Sequence, residues 1–173
     1  MLTPGSRDAI GLATDAGVSR LVGRARRSSR AGGQHVGVVA RGTIAWPGRP
    51  RADETASLEP NHTHVVVVPG SAWGDEVPWL SAVAGAVATG ARSITLLANG
   101  GEIAYRDVQA SLAARRQVFV LSGTGRAADQ IARAAATESA EPKALAIAQS
   151  PLVIVLPDET GAVVEAIGSA LRD

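Results

Sequence analysis

Residues 61–90 read NHTHVVVVPGSAWGDEVPWLSAVAGAVATG, and this stretch decides the fold. His64 to Val68 is a short apolar run rich in β-branched residues, the signature of a strand covered on both faces. Pro69-Gly70 is a turn signal. Asp75 and Glu76 follow, acids that suit the positive end of a helix dipole. Val77, Leu80, Val83 (or Ala84) and Val87 then recur at helical spacing, and Gly90 ends the run. One strand, one glycine turn and one helix are legible in thirty residues.

The same unit recurs outward. Upstream, Val18, Leu21, Val22 and Ala25 form a helical stripe, with Arg20, Arg24, Arg26, Arg27 and Arg30 elsewhere on the turn. Thr14 or Asp15 can cap that helix, and Gly32-Gly33 stops it. Residues 36–40 read as a strand. Residues 41–61, with Pro47, Pro50 and Pro60, form a connection longer than most, of the kind that carries function. Downstream, 93–98 is a strand followed by Asn99-Gly100-Gly101. Residues 105–116 are a helix with Val108 and Leu112 inward, and 118–121 is a strand. Gly123-Thr124-Gly125 leads into a helix through about Arg133. Residues 137–150 leave a short helix around Leu145 open. Residues 152–156 form the last strand, and Asp158 caps a helix to Leu171.

Alternating strands and helices predict an α/β fold: a Rossmann-like, doubly wound, mainly parallel sheet of five or more strands with helices on both faces. The 173 residues suit one domain, 1–173, with no internal repeat and no boundary.

Composition narrows the function classes. Hydrophobic residues at 46% and charged residues at 19% exclude a disordered chain. Without cysteine there are no disulfides, thiolate metal sites or cysteine nucleophiles. No apolar run approaches the roughly 20 residues of a spanning helix. The N-terminus lacks the basic start and apolar stretch of a signal peptide, so a cytoplasmic location is expected. The net charge of +1 argues against a general nucleic-acid partner. That total conceals nine arginines against two aspartates in residues 1–51, and an acidic remainder. Such a basic half is a solvated helix face or an anion-attracting surface.

Parallel α/β sheets bind ligands at the carboxyl ends of their strands. Three turns lie there: residues 11–17, 69–74 and 122–126. Each leads a helix whose first amides have no partner within the helix, a natural phosphate or carboxylate site. The third is the best equipped, because Ser122, Gly123, Thr124, Gly125 and Arg126 stand together and arginine supplies a donor fork for phosphate oxygens. It is not a Walker loop, and no GxGxxG precedes a ribose-binding acid at the right distance. His62 and His64 lack an evident third ligand, so no metal is expected. Glu76 is placed to serve as a general base or to complement a helix end. Trp73, in the second turn, can stack on a base or pack in an interface.

Five collinear segments resemble a known family. AIGLATDAGVSRLVGRA is similar to its strand–turn–helix with Thr-x-x-Gly-Val and a later Val-Gly. VGVVARGTIAWPGR is similar to a strand running into a tryptophan-bearing loop, and LEPNHTHVVVVPG to an Asn-His-x-His strand. WGDEVPWL resembles a Gly-x-Glu-hydrophobic-Pro helix start, and SGTGRAADQIA a Gly-Ser-Gly-Arg-x-Ala-Asp turn. The family is the SLOG superfamily (Smf/DprA–LOG related). Within it the chain looks like the prokaryotic relatives of the N-terminal cytosolic ligand-sensing domain of melastatin-type TRP (TRPM) channels.

The resemblance implies binding of a nucleotide-derived ligand, ADP-ribose-like or a nucleoside phosphate, with no other cofactor. Carried over, Thr14 and Gly17 belong to the first ligand turn and Gly123, Gly125 and Arg126 to the last. Gly70, Ser71, Gly74, Ser122 and Thr124 join them, and Glu76 matches the acid at the helix start. Leu12 and Ala13 stand where the family has paired glycines. Leu80 stands where ligand-binding channels have an arginine, and the loop before the glutamate is shorter. The family's leading strand–helix unit is expected to be missing, leaving a pocket that is incomplete, re-specified or completed by another chain.

Two further classes compete. An enzyme like the "lonely guy" phosphoribohydrolases would cleave a nucleoside monophosphate at its N-glycosidic bond, with Glu76 catalytic. Pro69-Gly70, Gly74 and Glu76 are similar to part of that signature, with Ser71 replacing a glycine. A degenerate structural or assembly protein is the other reading. A homodimer or larger homo-oligomer is expected because open sheets with a free edge are usually covered.

Overall fold

The computed structural model describes residues 8–29, 32–46, 48, 53, 55–137 and 141–172. Arg30, Pro47 and Pro50 of the reading above lie outside them. The chain divides into two compact units, residues 1–91 and 92–173.

In the first unit, strand β1 (Ala9–Leu12) leads to helix α1 (Gly17–Ser29), then β2 (His35–Ala40), a short 3-10 turn (Arg41–Thr43), β3 (His64–Val68) and α2 (Val77–Ala88). The three strands are parallel in the order β1-β2-β3. Leu12 lies opposite Val38, and Ala40 opposite Val68. All six residues of β2 are buried, as befits a central strand. The long connection is pinned by two isolated bridges, Thr14 with Leu58 and Ile44 with Ala56. Ala13, Val39 and Ile44 form a small core there, with Trp46 and Leu58 against it.

Helix α1 turns a different face inward from its apolar stripe. Val18, Leu21 and Val22 are exposed, Leu21 by 63%, while Gly23 is the helix's buried residue. The reason is steric. A carboxylate, Glu59, lies against the helix at Gly23, where any Cβ would fall 2.2 Å from its Cδ. Asp15 accepts from Arg20 Nε at 2.7 Å, and Arg26 closes the far end by donating to the carbonyls of Gly32 and Gly33. Helix α2 follows the expected pattern: Val77 is buried, and Leu80, Val83, Ala84 and Val87 form its less exposed side.

In the second unit, β4 (Ile94–Leu97), α3 (Glu102–Ala113), β5 (Gln117–Ser122), α4 (Arg126–Ala136), α5 (Pro142–Ala148), β6 (Val153–Pro157) and α6 (Thr160–Ala170) follow in order. The strands are again parallel, in the order β4-β5-β6. Val118 and Val120 point from one face of β5 into the core, where Val108 of α3, Ile131 of α4 and Ile147 of α5 meet them. The short helix left open around Leu145 is α5, whose Ala144 and Ile147 are buried.

The expected sheet of five or more strands is thus corrected. The described residues form two three-stranded parallel sheets, with β1 as a sixth strand. Apolar runs report that a strand is covered, whereas ladder hydrogen bonds decide which strands are neighbours.

Candidate functional site

The three turns have different local chemistry, set by where their amides donate. In the first, Ala13 N–H donates to Val38 O at 3.1 Å and Asp15 N–H to Ser57 O at 2.8 Å. Thr14 is buried beside the 55–59 segment, and Ala13 is fully buried. Gly17 opens α1 with a φ of +47°.

The second turn satisfies itself. Asp75 Oδ2 accepts from the N–H of Ser71 at 2.9 Å and of Ala72 at 3.0 Å. Both oxygens of Glu76, which is 1% exposed, accept from Gly74 N–H, at 3.0 and 3.2 Å. Gly70 O accepts from Gly42 N–H at 2.9 Å, joining this turn to the segment after β2. Beside it lies a cleft of about 770 Å³ lined by Arg41, Gly42, Trp46, Val67–Val68 and Pro69–Gly70. A second cleft, about 470 Å³, is lined by Thr43, Thr55, Ser71 and Trp73 among others. Trp46 is fixed by its Nε1–H, which donates to Arg41 O at 3.3 Å. Leu80 is half-buried one turn into α2.

The third turn, in the second unit, is held rigidly and ends in a charge. Thr124 Oγ accepts from Asn99 N–H at 2.8 Å and donates to Leu121 O at 2.7 Å. Asn99 Nδ2 donates to Thr124 O at 2.9 Å. Ser122 Oγ donates to Leu156 O at 3.0 Å. Ala127 and Ala128 donate to Gly100 O and Asn99 O, so the turns after β4 and β5 are laced together. Gly123 N–H goes to Asp129 Oδ1 at 2.7 Å. Gly125 caps α4 with a φ of +96°, a conformation that favours glycine. Arg126 itself has a φ of +49°, and its guanidinium lies over Gly101, 3.0 Å from where a Cβ would stand. Arg126 is exposed and has no ion-pair partner among the described residues.

The sequence-predicted residues therefore separate. Ser122 to Arg126 converge in one turn, Gly70, Ser71, Gly74 and Glu76 in another, and Thr14 with Gly17 in the first. The structure adds Arg41 and Trp46 at the cleft, and Asn99, Gly101 and Asp129 around Arg126. The Asn-Gly-Gly turn was visible in sequence, but its pairing with Thr124 is a contact 25 residues apart. His64 is exposed with its Nδ1 3.0 Å from Thr63 Oγ. His62 is instead buried with Glu59 and His35.

Parallel strands whose carboxyl-end turns carry glycine, helix starts and an arginine define the class of α/β ligand-binding domains. The chain belongs to the family described as "SLOG in TRPM, prokaryote", whose model matches residues 8–165 and so spans both units. No curated protein matches the chain. No helix among the described residues is long and apolar enough to cross a membrane.

Proposed function

We propose that the chain binds a nucleotide-derived anion, an ADP-ribose-like molecule or a nucleoside phosphate, with a phosphate seated at residues 122–126. The observation that carries this reading is the exposed Arg126 guanidinium, without an ion-pair partner among the described residues, at the start of α4. Helix dipole and guanidinium act in the same direction on a phosphate. The lacing of Thr124 to Asn99 fixes the turn in advance, so little ordering cost falls on binding. Membership of the SLOG family supports a ligand-binding domain at the level of class.

Catalysis has weaker support. The hydrolase reading needs Glu76 at a substrate, whereas its carboxylate is buried and committed to Gly74 N–H. Binding without turnover is the conclusion. Calorimetry with ADP-ribose and AMP tests it. Arg126→Ala should weaken binding about tenfold or more, the loss expected for a charge-assisted hydrogen bond. Ligand at 100 times its Kd should add about 2.7 kcal/mol to stability. A flat response of the folded wild-type chain to both ligands refutes the reading. Release of ribose 5-phosphate from AMP, lost in Glu76→Gln, would replace it with the hydrolase.

A further inference from the structure

Away from the turns, the first unit buries three polar groups in one place. His35, at the start of β2, is 2% exposed, and the side chains of Glu59 and His62 are each 1% exposed. The two imidazoles stack with centroids 4.0 Å apart and planes 22° apart. His62 Nδ1 lies 3.1 Å from Glu59 Oε2 and 3.2 Å from Glu59 O, two acceptors that place a proton on that nitrogen. His35 Nδ1 and His62 Nε2 are both buried without a hydrogen-bond partner.

We propose that His35, Glu59 and His62 form a binding site for a divalent transition-metal ion of the zinc type. Each residue offers one ligand atom, and these atoms lie within 4.8 Å of one another. Bonds of about 2.0–2.2 Å bring such a set onto one ion once the side chains rotate toward it. Two imidazoles and one carboxylate select zinc, cobalt or nickel over calcium or magnesium, which prefer oxygen. A ligating histidine usually gives its other ring N–H to a carboxylate or a backbone carbonyl. His62 already has such a partner in the Glu59 main-chain oxygen, 3.2 Å from its Nδ1. Stacked rings hold their lone pairs in planes only 22° apart, so binding one ion through both requires one ring to tilt out of the stack. His35 and Gly37 share a face of β2. A Cβ at Gly37 would fall 2.8 Å from His62 Cδ2, so glycine there is what admits the second imidazole.

The test is independent of the turn at 122–126. The full chain, stripped with EDTA, is titrated with Zn²⁺ at neutral pH. One ion per chain is expected. His35→Asn, His62→Asn and Glu59→Gln should each weaken binding about tenfold or more, while His64→Asn leaves it unchanged. Circular dichroism checks that each variant folds. A second readout needs no variant: Co²⁺ bound to the wild-type chain should give the intense visible bands of a four- or five-coordinate site. Absence of binding overturns the proposal. So does unchanged affinity in His35→Asn and His62→Asn, or the pale spectrum of octahedral, surface-bound Co²⁺.

Discussion

Replacing Gly23 by alanine tests the packing of the first unit, because two effects of opposite sign meet there. On an exposed helix interior the change is stabilising by about 1 kcal/mol, since glycine is the poorer helix former. In this structure the new methyl would stand 2.2 Å from Glu59 Cδ and Oε1 and 2.4 Å from Oε2. The carboxylate cannot simply retreat. It accepts from Asn61 N–H at 2.9 Å and from Asn61 Nδ2, and it holds His62 Nδ1 at 3.1 Å. Overpacking costs about 1–3 kcal/mol, and each charge-assisted hydrogen bond lost costs about 1.5–3 kcal/mol. With one such bond lost, and the helix-propensity gain set against it, Gly23→Ala should destabilise by about 1.5–5 kcal/mol. For a chain of this length that lowers the Tm by about 3–20 °C. Thermal and urea unfolding followed by circular dichroism read the change. The double variant Gly23→Ala, Glu59→Ala makes room for the methyl, so in the Glu59→Ala background the glycine substitution should become stabilising. A rise in Tm from Gly23→Ala alone, or additive effects in the pair, refutes the steric account of α1.

Three other expectations follow from separate features. Asp129→Asn removes a negative charge beside the Arg126 turn while keeping an acceptor for Gly123 N–H, so phosphate affinity by calorimetry should rise severalfold; a fall counts against a phosphate at this turn. In EDTA-treated protein, burial is the main cause that holds His35 below its ordinary pKa of 6.5, aided by His62 and Arg26 and opposed by the Asn61 backbone and Glu59. The unfolded chain therefore takes up the proton first, and stability should fall as pH drops through about 6.5, with a shallower slope in His35→Asn by urea titration. Tyr105 is 5% exposed, donates its hydroxyl to Gln130 Oε1 and has Lys143 Nζ 4.7 Å from its ring centre. Tyr105→Phe should cost about 1 kcal/mol of stability in denaturant unfolding, whereas a neutral result would mean the hydroxyl is readily replaced by water.

What the sequence made legible was local. The turns at Pro69-Gly70, Asn99-Gly100 and Gly123-Gly125, and the apolar faces of α2 and α3, rest on periodicity and glycine, and they recur in the structure. β1 was missed by periodicity because four residues, AIGL, give too short a run; only the family resemblance marked it as a strand. The inward face of α1 was not legible, because a glycine that admits a carboxylate carries no hydrophobic signal. His35 was missed as a partner of His62 because the parallel pairing of β2 with β3 brings them together across 27 residues of chain. The division into two sheets was invisible for the same reason, since it is a matter of which backbones hydrogen-bond.

Glycine content made the three turns look alike, but their carboxylates tell them apart. Asp75 and Glu76 occupy the amides of the second turn, so a phosphate there would have to displace two internal anions. At about 4 Å such like-charge repulsion is worth roughly 1 kcal/mol in water and about 4 kcal/mol near a protein surface. That turn is better suited to accept hydroxyl donors than to hold an anion. The first turn spends its amides on β2 and the 55–59 segment. The arginine-rich start of the chain is also partly absorbed, Arg20 by Asp15 and Arg26 by the carbonyls of Gly32 and Gly33. The third turn also has an internal carboxylate, Asp129 on Gly123 N–H, but it ends in the exposed Arg126, whose guanidinium lies over Gly101 without an ion-pair partner among the described residues. The proposed anion site therefore rests on Arg126 rather than on the glycines that first draw the eye.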